Sequence, residues 1–206
     1  MKKIKFFIDF HKEEQWLVKM AAQGWQLKKQ GPVYTFESAA PEQPTIKIDY
    51  RHFKKQADFI EYRSLFEDSG WQHISGTKHS GNQYFKRKGA YDDDIFSDTA
   101  SRAGRYKRLA DMMLSIFILF LPIVFISISK GTLGIDYLLN PKTLYFTPGL
   151  WEMSGAKFWG RFLFETPFAL MRGFSWSISL ALIILYVLMT IKSWLLYRKA
   201  MNDDDV

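Results

Sequence analysis

The chain has 206 residues, with 28 Lys and Arg against 21 Asp and Glu, a formal net charge of +7 and no cysteine. The lack of thiols excludes disulfide frameworks, thiolate zinc sites and cysteine nucleophiles. Residues 1–100 hold 16 basic and 14 acidic residues. A nucleic-acid domain should carry its charge on its own folded face, so nucleic acid is not an expected partner.

The chain opens Met1-Lys2-Lys3-Ile4-Lys5-Phe6-Phe7, superficially like a signal peptide. Its apolar run stops at Asp9 after about five residues, short of a signal core of ~7–15, so the first hundred residues should stay in the cytoplasm. Ile4, Phe6, Ile8 and Phe10 alternate with Lys3, Lys5, Phe7 and Asp9, the period of a half-buried strand. From Lys12 to Gln23, Trp16, Leu17, Met20 and Ala21 share one helical face. Gly24 follows where a helix C-terminus favours a left-handed residue, and Trp25 starts the next strand. Gln30-Gly31-Pro32 supplies a hairpin turn before Tyr34-Thr35-Phe36.

The same landmarks return. Ile8-Asp9-Phe10 recurs as Ile48-Asp49-Tyr50, Gly24-Trp25-Gln26 as Gly70-Trp71-Gln72, and Tyr34-Thr35-Phe36 more loosely as Tyr84-Phe85, with an insertion near His52–Gln56. Ile46, Ile48 and Tyr50 predict a strand, Phe59, Tyr62 and Phe66 the face of a second helix, and Gly76 to Asn82 a second hairpin turn. The expected fold class is α+β, a duplicated βαββ domain. It resembles the effector-binding domains of some bacterial multidrug-responsive regulators, and the competing arrangement is a ferredoxin-like sandwich.

Gly89 to Ala103, with Asp92-Asp93-Asp94, reads as a polar connector rather than a calcium loop. Met112 to Ser129 and Phe174 to Ser193 are apolar runs, each long enough to cross a bilayer at ~1.5 Å of rise per residue. The expected organisation is a βαββ pair over 1–88, a juxtamembrane linker over 89–108 and spans over 109–129 and 174–197. An aromatic loop over 130–173 joins the spans, and a tail follows over 198–206. Arg102, Arg105, Lys107 and Arg108 before the first span are expected to touch anionic lipid, and with Lys192, Arg198 and Lys199 they place both termini in the cytoplasm. The opposite topology would need a hundred residues exported without a signal. Pro122 should bend the first span. Ser175 and Ser179 form a small-residue face for helix packing, or bond their own backbone. Phe158, Phe162 and Glu165 at helical spacing, with Trp159, predict a short interfacial helix that ends at Gly173, preferred over a re-entrant hairpin.

No nucleophile elbow or phosphate loop is present, so an enzyme is not expected, and neither is a cofactor. His11, His52, His73 and His79 lack the density of a metal site. Asp9 and Asp49 hold equivalent repeat positions and form either a ligand-binding carboxylate pair or caps at strand-to-helix junctions. Trp25 and Trp71 either line an aromatic cleft for a hydrophobic cation or belong to the core.

The runs Lys5–Phe10, Glu13-Glu14-Gln15-Trp16-Leu17 and Met20–Trp25, with Tyr34-Thr35-Phe36, Gly70-Trp71 and Ile95-Phe96-Ser97-Asp98, resemble the DUF2812 family over roughly residues 1–110. The resemblance implies a bacterial, multi-pass cell-membrane protein of unknown function. It also implies a neighbourhood of PadR-like repressors and thus a membrane-stress or drug-response setting. The leading expectation is a non-enzymatic cytoplasmic sensor or adaptor anchored in the lipid bilayer, with a membrane or cytoplasmic protein as partner. The alternative is an accessory subunit of a transporter or other membrane complex.

Overall fold

A computed structural model describes residues 1–87, 94–129 and 139–202, the side chains at 127, 128, 175 and 176 excepted. The chain divides into two compact units, Met1–Met112 with Met189–Val206, and Met113–Leu188.

The first unit is mixed α+β. Its order is β1 (Lys2–Lys3), α1 (Phe10–Ala22), β2 (Trp25–Lys29), β3 (Tyr34–Ser38), β4 (Thr45–Tyr50), α2 (Gln56–Asp68), β5 (Gln72–Ser75) and β6 (Asn82–Arg87). These strands make two three-stranded antiparallel sheets, ordered β1-β3-β2 and β4-β6-β5. In both, the last strand of its block lies in the middle. Both helices have 13 residues, and they start at Phe10 and Gln56. Gly24 and Gly70, at φ +81° and +85°, end the two helices in the left-handed region.

Helix α1 packs on β2 of one sheet and β4 of the other, and α2 packs on β5. Phe10, Leu17, Met20 and Ala21 are the buried apolar stripe of α1. Phe59, Tyr62, Trp71 and Phe85 form a second cluster, flanked by Phe53, Phe66 and Ile95. Each such side chain removed from water is worth about 1.5–3 kcal/mol, so these clusters, rather than helix propensity, hold two short helices in place.

The N-terminal strand is shorter than its alternation predicts. Pairing stops at Lys3, and Ile4 and Phe6 are 83% and 71% exposed. The physical reason lies at the other end of the pattern. Asp9 accepts the amides of His11 (3.1 Å) and Lys12 (3.4 Å) as the N-cap of α1, and this claims Phe10 for the helix.

Helix α3 (Thr99–Ser129) starts well before the apolar run. Asp98 caps it, accepting the Ser101 amide at 2.6 Å, and this backbone bond holds the exposed Asp98 carboxyl below its ordinary range. Residues 99–108, expected as linker, are therefore helical, and Ala103, Tyr106, Leu109 and Ala110 are buried at i, i+3, i+6 and i+7. Residues 88–93, including Asp92 and Asp93, lie outside the described residues; Asp94 pairs with Lys47 (3.5 Å) and Arg102 (2.8 Å).

The second unit holds the rest of α3, with Pro122 inside it, and most of α4 (Gly155–Asn202). Both helices are long and apolar enough to cross a membrane, with mean hydropathies of 2.5 and 2.1 over their spanning stretches. The expected break at Gly173 is absent, and α4 runs unbroken from the aromatic stretch into the apolar run. A single helical glycine costs only about 1 kcal/mol and does not end a helix by itself. Here its missing side chain admits Leu144, whose Cδ1 lies 3.1 Å from where a Cβ would stand. Tyr145 stacks on Phe162 at 5.3 Å. Glu165 accepts the Phe146 and Thr147 amides and the Thr147 hydroxyl, and Arg172 donates to it at 3.0 Å. Ser177 bonds the Gly173 carbonyl at 2.8 Å, Ser179 is exposed, and the Ser175 side chain lies outside the described residues.

Candidate functional site

Four charged side chains are buried where α1, β4 and α3 meet: Glu13, Glu14, Asp49 and Arg105. A buried charge is tolerated only when paired and hydrogen-bonded, so their partners define the site.

Glu14 accepts from Arg105 Nη1 at 2.5 Å and from the Ile48 amide at 2.9 Å. Arg105 also donates to the Ile48 carbonyl at 2.7 Å, and its guanidinium lies 5.2–5.3 Å from the rings of Phe10, Phe96 and Tyr106. One turn on, Arg108 donates to Asp49 and to the Tyr50 carbonyl, both at 2.5 Å. Asp49 further accepts the Tyr50 amide and the Tyr62 hydroxyl, both at 2.8 Å. Burial, helped by the Asp49 charge, raises the Tyr62 phenol well above its ordinary value, so Tyr62 stays a donor. Glu13 takes hydroxyls from Tyr34 (2.7 Å) and Tyr84 (2.6 Å). Burial is the largest influence on Glu13 and raises its pKa from 4.5, outweighing the two hydroxyls that lower it.

Next to this network a cleft of about 730 Å³ opens, lined by Asp49, Arg51, Tyr62, Phe66, Trp71, Arg87, Asp94 and Arg108 among others. Its aromatic faces already carry cations. Arg51 lies over Tyr62 at 5.4 Å and Arg87 over Trp71 at 5.8 Å. An open aromatic cage for a hydrophobic cation is therefore not what these rings form.

The expected site residues fall in different places. Asp9 caps α1, and Tyr106 donates to it at 3.3 Å, while Asp49 sits in the ionic network; each carboxylate has its own partners. Trp71 is buried against the cleft, whereas Trp25 is half-buried at the start of β2 and does not line it. Of the four basic residues assigned to lipid, Arg105 and Arg108 instead neutralise Glu14 and Asp49, because these acids lie buried and need a countercharge. Arg102 pairs with Asp94, and Lys107 is exposed beside Asp111 at 3.6 Å. His73, half-buried on Gln83 at 3.0 Å, has its pKa lowered by burial, and His79 is exposed. Among the described residues no group of three or more His, Asp or Glu could hold a metal ion.

Glu13, Glu14, Arg105 and Arg108 were not among the residues expected to form a site together. A signal existed for the acids: Glu13 and Glu14 share the register of Phe10, Leu17 and Ala21, so one helical face mixes acids with core residues. A core-facing acid demands a distant partner.

The sequence model of a family described as "Protein of unknown function (DUF2812)" matches residues 9–118. No curated protein and no solved structure matches the chain. The family match runs from the cap of α1 into α3, so it takes in the whole ionic network together with the helix that supplies its arginines. On that match, which covers more than half of its length, the chain belongs to the DUF2812 family.

Proposed function

We propose that this is a non-enzymatic sensor or adaptor of the bacterial cell membrane, whose N-terminal unit reads an amphipathic ligand in the cytoplasm and passes occupancy to α3. The single observation that carries the reading is the position of Arg108. It lines the cleft through its bond to Asp49 and belongs to the helix that continues into the apolar run. A ligand that competes for either partner shifts the balance of bonds holding α3 in register.

In this reading α3 and α4 are the two spans, both termini are cytoplasmic and the intervening segment is outside, because the basic residues flank the outer ends of the hairpin. The repeated strand-helix-strand-strand order, with equal strand order in both sheets, supports a duplicated βαββ domain of effector-binding type. The cleft carries Arg51, Arg87 and Arg108 against Asp49 and Asp94 beside Trp71 and Phe66, which suits an anion with an apolar body.

The test uses the full chain in detergent or nanodiscs. Because it has no cysteine, labels at Ser64→Cys and Lys107→Cys are unique, and both positions are exposed. Aryl carboxylates and fatty acids should raise Tm and change the α2-to-α3 label distance, and an amphipathic cation such as tetraphenylphosphonium should do neither. A panel of both charges that moves neither quantity overturns the reading.

A further inference from the structure

The geometry points to residues 2–6, not the root of α3, as the place where the N-terminal unit touches anionic lipid. This inference rests on the reading that α3 and α4 cross a bilayer.

The segment is pinned at both ends and bare in between. Met1 exchanges backbone bonds with Phe36, both at 2.8 Å, and Lys2 and Lys3 pair with β3. Phe7 then returns to the protein, 5.4 Å from Trp16 and 6.5 Å from Tyr34. Between these anchors the side chains of Ile4 and Phe6 stand largely exposed. A frayed end exposes apolar groups by default, but a stretch fixed on both sides holds them out at a standing cost.

Lysines surround the two apolar side chains. Lys2, Lys3 and Lys5 are all exposed, and Lys5 lies over the rings of Phe7 and Trp16 at 5.2 and 4.9 Å. Basic residues interleaved with bulky apolar ones suit an interface that offers anionic headgroups above acyl chains. The position within the unit fits as well. Asp9, five residues beyond Ile4, receives the Tyr106 hydroxyl, and Phe10 lies 5.0 Å from the Tyr106 ring. Tyr106 is three residues before Leu109, where the first apolar span is expected to start. Ile4 is thus within about 18 Å of chain of Asp9, which touches α3 one turn before that point. At the root of α3, Arg105 and Arg108 are taken up by Glu14 and Asp49 and Arg102 by Asp94, which leaves Lys107, beside Asp111, as the exposed cation there.

The experiment places an environment-sensitive fluorophore on Ile4→Cys in the full chain, with Ser64→Cys on α2 as the control, in nanodiscs containing doxyl-labelled lipid. Residue 4 should be quenched at least about twofold more in phosphatidylglycerol than in phosphatidylcholine discs, and residue 64 in neither. About 0.5 M salt, or Lys2→Glu with Lys3→Glu and Lys5→Glu, should abolish the difference. Phe6→Ser, at an exposed position that leaves folding intact, should reduce the quenching while Tm is unchanged. Weak, equal quenching at residue 4 in both lipids overturns the inference and leaves the patch to a protein partner. A chain that does not enter the discs at all overturns the membrane reading as well, so the two failures are separable.

Discussion

The Glu14–Arg105 pair is the sharpest test of how this unit is held together. The side chains are 6% and 5% exposed, 2.5 Å apart, and come from positions 91 residues apart. Arg105→Met removes the guanidinium countercharge and leaves the buried Glu14 with the Ile48 amide, the His11 ring standing 3.9 Å from its other oxygen. Breaking a buried pair from one side costs about 3–5 kcal/mol, because the surviving charge is uncompensated. Against a typical domain stability of about 5–15 kcal/mol this is a large fraction. With a urea dependence of about 2 kcal/mol/M, the unfolding midpoint should fall by about 2 M. The readout is pulse proteolysis of the full chain in detergent, following cleavage between residues 1 and 112 across a urea series. Glu14→Gln should cost less than Arg105→Met, since an amide still accepts from the guanidinium. Glu14→Leu combined with Arg105→Met should recover most of the loss, because neither charge then remains to be solvated. A midpoint drop below about 0.3 M for Arg105→Met, or a double variant no better than the sum of its parts, would refute the argument.

Two further outcomes follow from neighbouring geometry. Glu13 has its pKa raised in the folded state, so the native protein binds a proton more tightly than the unfolded chain. Its contribution to stability is complete below the ordinary value of 4.5 and is lost as pH rises through the raised one. Glu13→Gln, which still accepts from Tyr34 and Tyr84 but cannot titrate, should therefore gain on the wild type in urea midpoint as pH rises from about 4 to about 8. A difference independent of pH would contradict this. Gly76 sits at φ +127°, and a Cβ there would collide with Gln83 Oε1 and stand 2.8 Å from the Asn82 carbonyl. Gly76→Ala should cost at least about 2 kcal/mol by the same assay, and a change under about 0.5 kcal/mol would show that the turn relaxes freely.

What the sequence makes legible here is local, and what it hides is distant. Gly24 and Gly70 end their helices as the chain order suggests, because a left-handed residue after an amphipathic run is a signal carried by one position and its neighbours. The strands at Tyr34–Ser38 and Thr45–Tyr50 follow their two-residue period for the same reason. Two local signals compete at the N-terminus, where alternation from Ile4 to Phe10 reads as a strand and Asp9 reads as a cap. The cap wins because it satisfies two amides at once. The helix from Gly155 to Asn202 shows a different limit, since a mid-helix glycine is read as punctuation but here makes room for Leu144. Of the ionic network, only the acids on the core face of α1 left a trace in the sequence, and their partners left none. Its bonds join residues 59 and 91 positions apart, and nothing about Arg105 or Arg108 in isolation distinguishes a buried partner from a headgroup contact.

The carboxylate of Glu13 has one further consequence. It takes a phenol from Tyr34 in the middle strand of one sheet and another from Tyr84 in the middle strand of the other. At the matching turn of α2 stands Phe59, which offers no such junction. Beside the direct bonds of Lys86 to Gln26 and of the Gln30 amide to Ser75, the two sheets thus share an asymmetric keystone contributed by the first helix. Neither sheet can tilt without loosening a bond the other shares, so a disturbance felt on either side becomes a disturbance of α1.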